Sequence, residues 1–130
     1  MQKHDIQQRS DIELLVNEFY KKVLADETIG YIFNEVAGLN WDEHMPKMYD
    51  FWETTLFHSS AYKGNPMQVH LQLHGKEALK KQHFDRWLAL FNETVDERFE
   101  GEKSQLAKTR ALSIATVMQT KIYQQSQQQQ

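Results

Sequence analysis

The sequence predicts an all-α fold, and three observations carry that reading. Apolar residues recur every three or four positions along most of the chain. Capping and helix-breaking residues punctuate those stretches. Nowhere do four or more residues alternate in polarity as a half-buried strand does. At 130 residues the chain suits one domain, large enough to bury a core.

Each element has its own signal. Ser10 followed by Glu13 reads as a capping box, and Ile12, Leu15, Val16, Phe19, Tyr20 and Val23 then form one apolar stripe. A short second helix places Ile29, Ile32, Phe33 and Val36 on one face, and Gly38 and Asn40 end it. The third runs from about Asp42 to Phe57, with His44, Met48, Phe51, Trp52, Thr55 and Leu56 on its face. Pro46 belongs in or near its first turn, since a proline further in removes a hydrogen bond. After a loop from His58 to Asn65, Asn65-Pro66 reads as an N-cap with proline at the first helical position. This opens a short helix that contains His70 and ends around His74-Gly75. The fifth helix covers about Lys80 to Glu100, with Phe84, Trp87, Leu88, Phe91, Val95 and Phe99 inward. Gly101 separates it from a last helix striped by Leu106, Ile114, Val117, Met118 and Ile122. The domain is read as residues 1–123; Gln124 to Gln130 is glutamine-rich and is expected to be a disordered tail.

Composition narrows the function. Fifteen basic residues face eighteen acidic ones without a basic run, so a nucleic-acid surface is not expected. The absence of cysteine excludes disulfides, thiolate metal sites and a cysteine nucleophile. The N-terminus lacks the apolar core of a signal peptide and no apolar stretch reaches membrane-spanning length, so the expectation is a soluble cytoplasmic protein without a membrane role. No Gly-rich phosphate loop or GxSxG motif occurs.

The informative residues are polar groups on apolar faces. Tyr20, His44 and Trp87 each carry a hydrogen-bonding group that costs on the order of 1–3 kcal/mol to bury without a partner. A buried Tyr or Trp ordinarily finds a backbone carbonyl; three that converge would point to a shared ligand. His70, flanked by Met67, Val69, Leu71 and Leu73, is either an axial ligand to iron or a core histidine bonded to backbone. His70 and His74 stand four apart, as a zinc pair would, but no further ligands follow at a recognisable spacing. His4, His58 and His83 form no pattern and are expected to face solvent.

Several segments then fall into one order. These are Glu18-Phe19-Tyr20; Ile29-Gly30-Tyr31-Ile32-Phe33-Asn34; Trp41-Asp42-Glu43-His44-Met45-Pro46-Lys47-Met48, running into Asp50-Phe51-Trp52; Tyr62-Lys63-Gly64-Asn65-Pro66; His70-Leu71; and His83-Phe84-Asp85-Arg86-Trp87-Leu88-Ala89-Leu90-Phe91. Together they resemble the truncated haemoglobins, specifically their third group, over about residues 10–122. The Gly-Gly motifs of the other two groups are missing, as that group's pattern expects.

The resemblance implies an abbreviated globin, a two-over-two helical sandwich around haem b (iron protoporphyrin IX). It implies His70 as proximal ligand to the metal, Tyr20 as the distal tyrosine and His44 as the distal-helix histidine. Trp87 would close the pocket and Phe33 would pack on the haem. Met48, Phe51 and Trp52 would line the distal wall, with Lys47 a partner for a propionate. An oxygen ligand accepts hydrogen bonds, and the Tyr20 hydroxyl and Trp87 indole N–H are suitable donors. The implied function is binding of oxygen or another diatomic gas (NO, CO), extending to nitric oxide dioxygenation where a reductase donates electrons. The alternatives are peroxidase-like or nitrite-reducing chemistry assisted by His44, and a haem-free helical interaction module.

Overall fold

The computed structural model describes residues 3–32, 41–57 and 80–128, without the side chains of Trp41, Ile122, Tyr123 and residues 125–128. Among these residues there are four helices and no strand: α1 (Arg9–Ala25), α2 (Trp41–Phe57), α3 (Lys81–Arg98) and α4 (Glu102–Gln128). α1 pairs with α2 and α3 pairs with α4, while α1 also crosses α3 and α2 touches α4. The result is two helices laid over two.

The α1 stripe is buried throughout, from Ile12 to Val23. Its start differs from the expected Ser10 cap. Gln8 is the N-cap, and Asp11, largely buried, reaches back to accept from the backbone N–H groups of Gln7 (2.9 Å) and Gln8 (3.3 Å). A carboxylate in the first turn satisfies otherwise orphaned donors and complements the helix dipole, which explains the earlier start. Pro46 falls in the second turn of α2, next to the first. It removes the hydrogen bond that its N–H would have given the Asp42 carbonyl.

Polar contacts fix α2 against α1. Arg9 reaches across to Asp50 (2.7 Å) and Glu53, and the Tyr49 hydroxyl donates to Asn17. Beneath them Met48, Trp52 and Leu56 are buried. The buried side of α4 keeps Met118 of the expected stripe, with Leu106 and Ile114 partly buried against the core, but small residues make up most of it. Ser104, Ala107, Ala111, Ala115 and Met118 are buried, whereas Val117 is 42% exposed. Small side chains at helical spacing let α4 lie close to α3 and leave the larger residues at the margins. α4 also continues to Gln128, so the backbone of Gln124 to Gln128 is helical where composition suggested disorder. Glutamine is a fair helix former, and extending an existing helix costs far less than nucleating one. Ile122, whose side chain lies outside the described set, belongs to the same helix.

The corner between α3 and α4 is closed by the N-terminal segment. Ile6 is buried, Glu100 donates its N–H to the His4 carbonyl at 3.1 Å, and the His4 ring meets Phe99 edge-on. Asp5 caps α4 from outside it, accepting from the N–H groups of Lys103 and Ser104 and from the Ser104 hydroxyl at 2.7–2.8 Å. Gly101, with φ of 149°, makes room for that carboxylate, because a Cβ there would lie 2.5 Å from the Asp5 Cγ. Desolvation alone would raise the Asp5 pKa. The bonds from Ser104, Lys103 and Ile6 outweigh it and hold the carboxyl below its usual value.

Asp5→Ala should therefore lower stability by about 1–2 kcal/mol at neutral pH, the usual cost of a lost N-cap. A carboxyl whose pKa is depressed on folding contributes fully above its unfolded value of about 4, and the contribution disappears as pH falls through the native value. Thermal melts of wild type and variant should thus converge in acid. A gap of constant size at all pH values would contradict the assignment.

Candidate functional site

The site is built on aromatic packing where three helices meet. Phe91 on α3 is fully buried. It stacks on Trp52 of α2 with ring centroids 4.9 Å apart, and on Trp87, one turn earlier in α3, at 5.9 Å. Phe19 of α1 meets Phe91 edge-on at 5.2 Å and Trp87 at 5.5 Å. Such pairs contribute about 0.5–1.5 kcal/mol each beyond the area they bury, and each has a preferred geometry. The helices are thereby held in a definite rotation about their axes.

That rotation gathers the sequence-predicted polar residues. Tyr20, next to Phe19, is 7% exposed, and its ring lies edge-on to His44 of α2 with centroids 5.8 Å apart. Burial pushes the ionisation of the Tyr20 hydroxyl above its ordinary range, so the group is a neutral donor at physiological pH. Trp87 adjoins the same group through Phe19. Met48 and Trp52 are buried beside them, while Phe51 is half-buried against Trp52. Lys47 is exposed on the outer side of α2. Phe33, His70 and His74 lie outside the described residues, as do Val36, His58 and the segment from Tyr62 to Pro66.

Two residues gain importance from the structure. His83, expected in solvent, is buried at 8% exposure, because its Nδ1 accepts from the Lys80 N–H at 2.9 Å and so closes the start of α3. Asp26 accepts from the N–H groups of Thr28 and Ile29 and from Arg86 at 2.6 Å. Desolvation opposes its charge, but Arg86 and the two backbone donors keep its pKa below the usual value. It ties the end of α1 to α3 one residue before Trp87. Asp26-Glu27-Thr28 carries a legible Asx-turn signature; the Arg86 partner is sixty residues away and has no local signal.

No group of three or more His, Cys, Asp or Glu side chains among the described residues could hold a metal ion. Phe51, Trp87 and Leu88 pack on the core yet keep part of their surface exposed, as residues facing a flat apolar cofactor would.

Comparison with known proteins agrees with this geometry. A family model described as bacterial-like globin matches residues 5–124. A group 3 truncated hemoglobin of Campylobacter jejuni is 33% identical over 118 residues, spanning 88% of this chain and 91% of that protein. The chain belongs to the group III truncated haemoglobins. The crystal structure of a group III truncated hemoglobin from Campylobacter jejuni superposes with a TM-score of 0.80 at 30% identity, covering 94% of this chain and 96% of that one. The two-over-two arrangement of α1–α4 is therefore the abbreviated globin fold. No helix among the described residues is long and apolar enough to cross a membrane.

In this truncated haemoglobin the Tyr20 phenol should ionise above the ordinary tyrosine range. An alkaline titration followed by phenolate absorbance should show a late component that disappears in Tyr20→Phe. Loss of an early component instead would place Tyr20 in water.

Proposed function

We propose that this truncated globin holds one haem b and binds a diatomic gas, oxygen foremost, on the face made by Tyr20, His44 and Trp87. The observation that carries the reading is the buried, un-ionised Tyr20 set against His44 and joined through Phe19 to Trp87. His70 would be the axial ligand. Phe33, Met48, Phe51 and Trp52 would line the haem, and Lys47 would face a propionate. Bound haem would supply an iron able to take a diatomic ligand and, with a reductase, to exchange electrons; the surrounding side chains tune that chemistry.

The chain's own contribution is polarity in a nearly dry site. The Tyr20 hydroxyl donates to a ligand that draws negative charge and offers little to one that does not. The Trp87 indole N–H is a second donor from the opposite helix pair. His44 sits half-buried at the edge of Tyr20, where it can orient the hydroxyl and admit or exclude water. The same donors would hold oxygen in place for reaction with nitric oxide, and we read the protein as a cytoplasmic one acting on dissolved gas.

Stopped-flow ligand release tests the reading. Tyr20→Phe removes one hydroxyl and leaves packing intact. A hydrogen bond to a strongly polarised acceptor contributes roughly 1.5–3 kcal/mol, so oxygen should leave about ten- to 150-fold faster. Carbon monoxide, bound with less charge separation, should change far less. Trp87→Phe should act in the same direction, and the double variant should fall short of the product of the two effects because both donors serve one ligand. Oxygen release unchanged by Tyr20→Phe would defeat the proposal.

A further inference from the structure

A second concavity lies apart from Tyr20 and His44. The outer edges of α2 and α4 border a shallow, open cleft of about 420 Å³. Its apolar floor comes from Phe51, Ile114 and Val117, and its polar rim from Thr55, Ser113 and Arg110. Phe51 and Ile114 are half-buried and Val117 is 42% exposed, so each offers apolar surface to the opening. Like small-molecule sites, it combines an apolar lining with a few polar groups.

Charge distinguishes this cleft. The other arginines are engaged: Arg9 with Asp50 and Glu53, Arg86 with Asp26, and Arg98 with Glu18. Arg110 has no ion pair among the described residues. The nearest acids of α2, Asp50 and Glu53, are committed to Arg9. α4 carries no carboxylate after Glu102, although it carries Lys103, Lys108, Arg110 and Lys121 in a chain of net charge −3. Lys103 bonds to the Leu56 carbonyl and Lys108 to Asp96, and Arg110 is the charged side chain that lines the cleft. From Arg110 to Val117 the helix rises about 10 Å. A medium-chain alkyl group spans that distance.

We infer that the α2–α4 cleft binds an amphiphilic monocarboxylate of medium chain length, its carboxylate on Arg110 and its chain along Ile114, Val117 and Phe51. The guanidinium fork matches a carboxylate in bidentate fashion, and the Thr55 and Ser113 hydroxyls supply further donors at the rim. None of Tyr20, His44 and Trp87 lines the cleft, and Phe51 is the residue that it shares with the proposed haem lining.

Decanoate, kept below its micelle concentration, is the probe. Calorimetric titration of the purified protein should give one saturable site. Octanoate, shorter by two methylenes, should bind more weakly by up to about fifteenfold, since each fully buried methylene changes affinity about fourfold. Arg110→Gln should weaken decanoate about tenfold. Val117→Glu, which sets a carboxylate on the wall at an exposed position, should abolish binding without lowering Tm. Decyltrimethylammonium, with the same chain and the opposite charge, should not compete. Equal binding by wild type and Arg110→Gln would overturn the inference, as would the absence of saturable binding. So would capture of an Asp- and Glu-rich peptide in place of decanoate. A shift of the haem absorption band on adding decanoate, retained in Arg110→Gln and lost in His44→Leu, would place the ligand in the haem pocket and equally overturn it.

Discussion

Phe91 touches an aromatic side chain from each of three helices, and the geometry of the rest follows from that contact. Its ring lies nearly parallel to those of Trp52 and Trp87, at 19° and 13°, and nearly perpendicular to Phe19 at 85°. Stacked and edge-on contacts each have a narrow range of favourable geometry, so α1, α2 and α3 cannot rotate independently. With the rotation of α1 set, Tyr20 must follow Phe19 toward His44. With that of α3 set, Trp87 must lie against Phe19. Polar clamps outside the core act in the same sense: Arg9 to Asp50 and Glu53, and Arg86 to Asp26.

The proposed ligand site needs hydrogen-bond donors beside its apolar wall. Tyr20 is buried there, and burial raises the pKa of its hydroxyl still further above physiological pH. The neighbouring His44 is half-buried rather than enclosed, so this side of the site stays in contact with solvent. The half-exposed faces of Phe51, Trp87 and Leu88 show where the core is left open.

Much of this is legible in the sequence because the signals are local. The α1 stripe from Ile12 to Val23 repeats at the helical period and is buried in full. The inward positions of α2 and α3 follow the same rule, and the ordered segments around Tyr20, His44 and Trp87 carry the family resemblance. What escapes depends on partners distant in the chain. The cap on α4 comes from Asp5, ninety-eight residues before Lys103, and no local pattern announces it. His83 reads as solvated because nothing in its neighbourhood shows that Lys80 would donate to it. The small-residue stripe of α4 escapes notice because alanines carry little weight in a hydrophobic pattern, although close helix approach depends on them. His70 and Phe33 rest on the resemblance, since both fall outside the described residues.

The central claim is that this chain is a haem protein ligated through His70, and one spectroscopic comparison tests it most directly. Purified protein, reconstituted with haemin, reduced and exposed to carbon monoxide, should show the intense absorption band of histidine-ligated haem at roughly 400 nm. Titration should reach one haem per chain. His70→Gly should lose the haem or hold it only when imidazole is supplied, while His74→Gly should match wild type. Full haem retention by His70→Gly without imidazole, or loss in His74→Gly alone, would contradict the account.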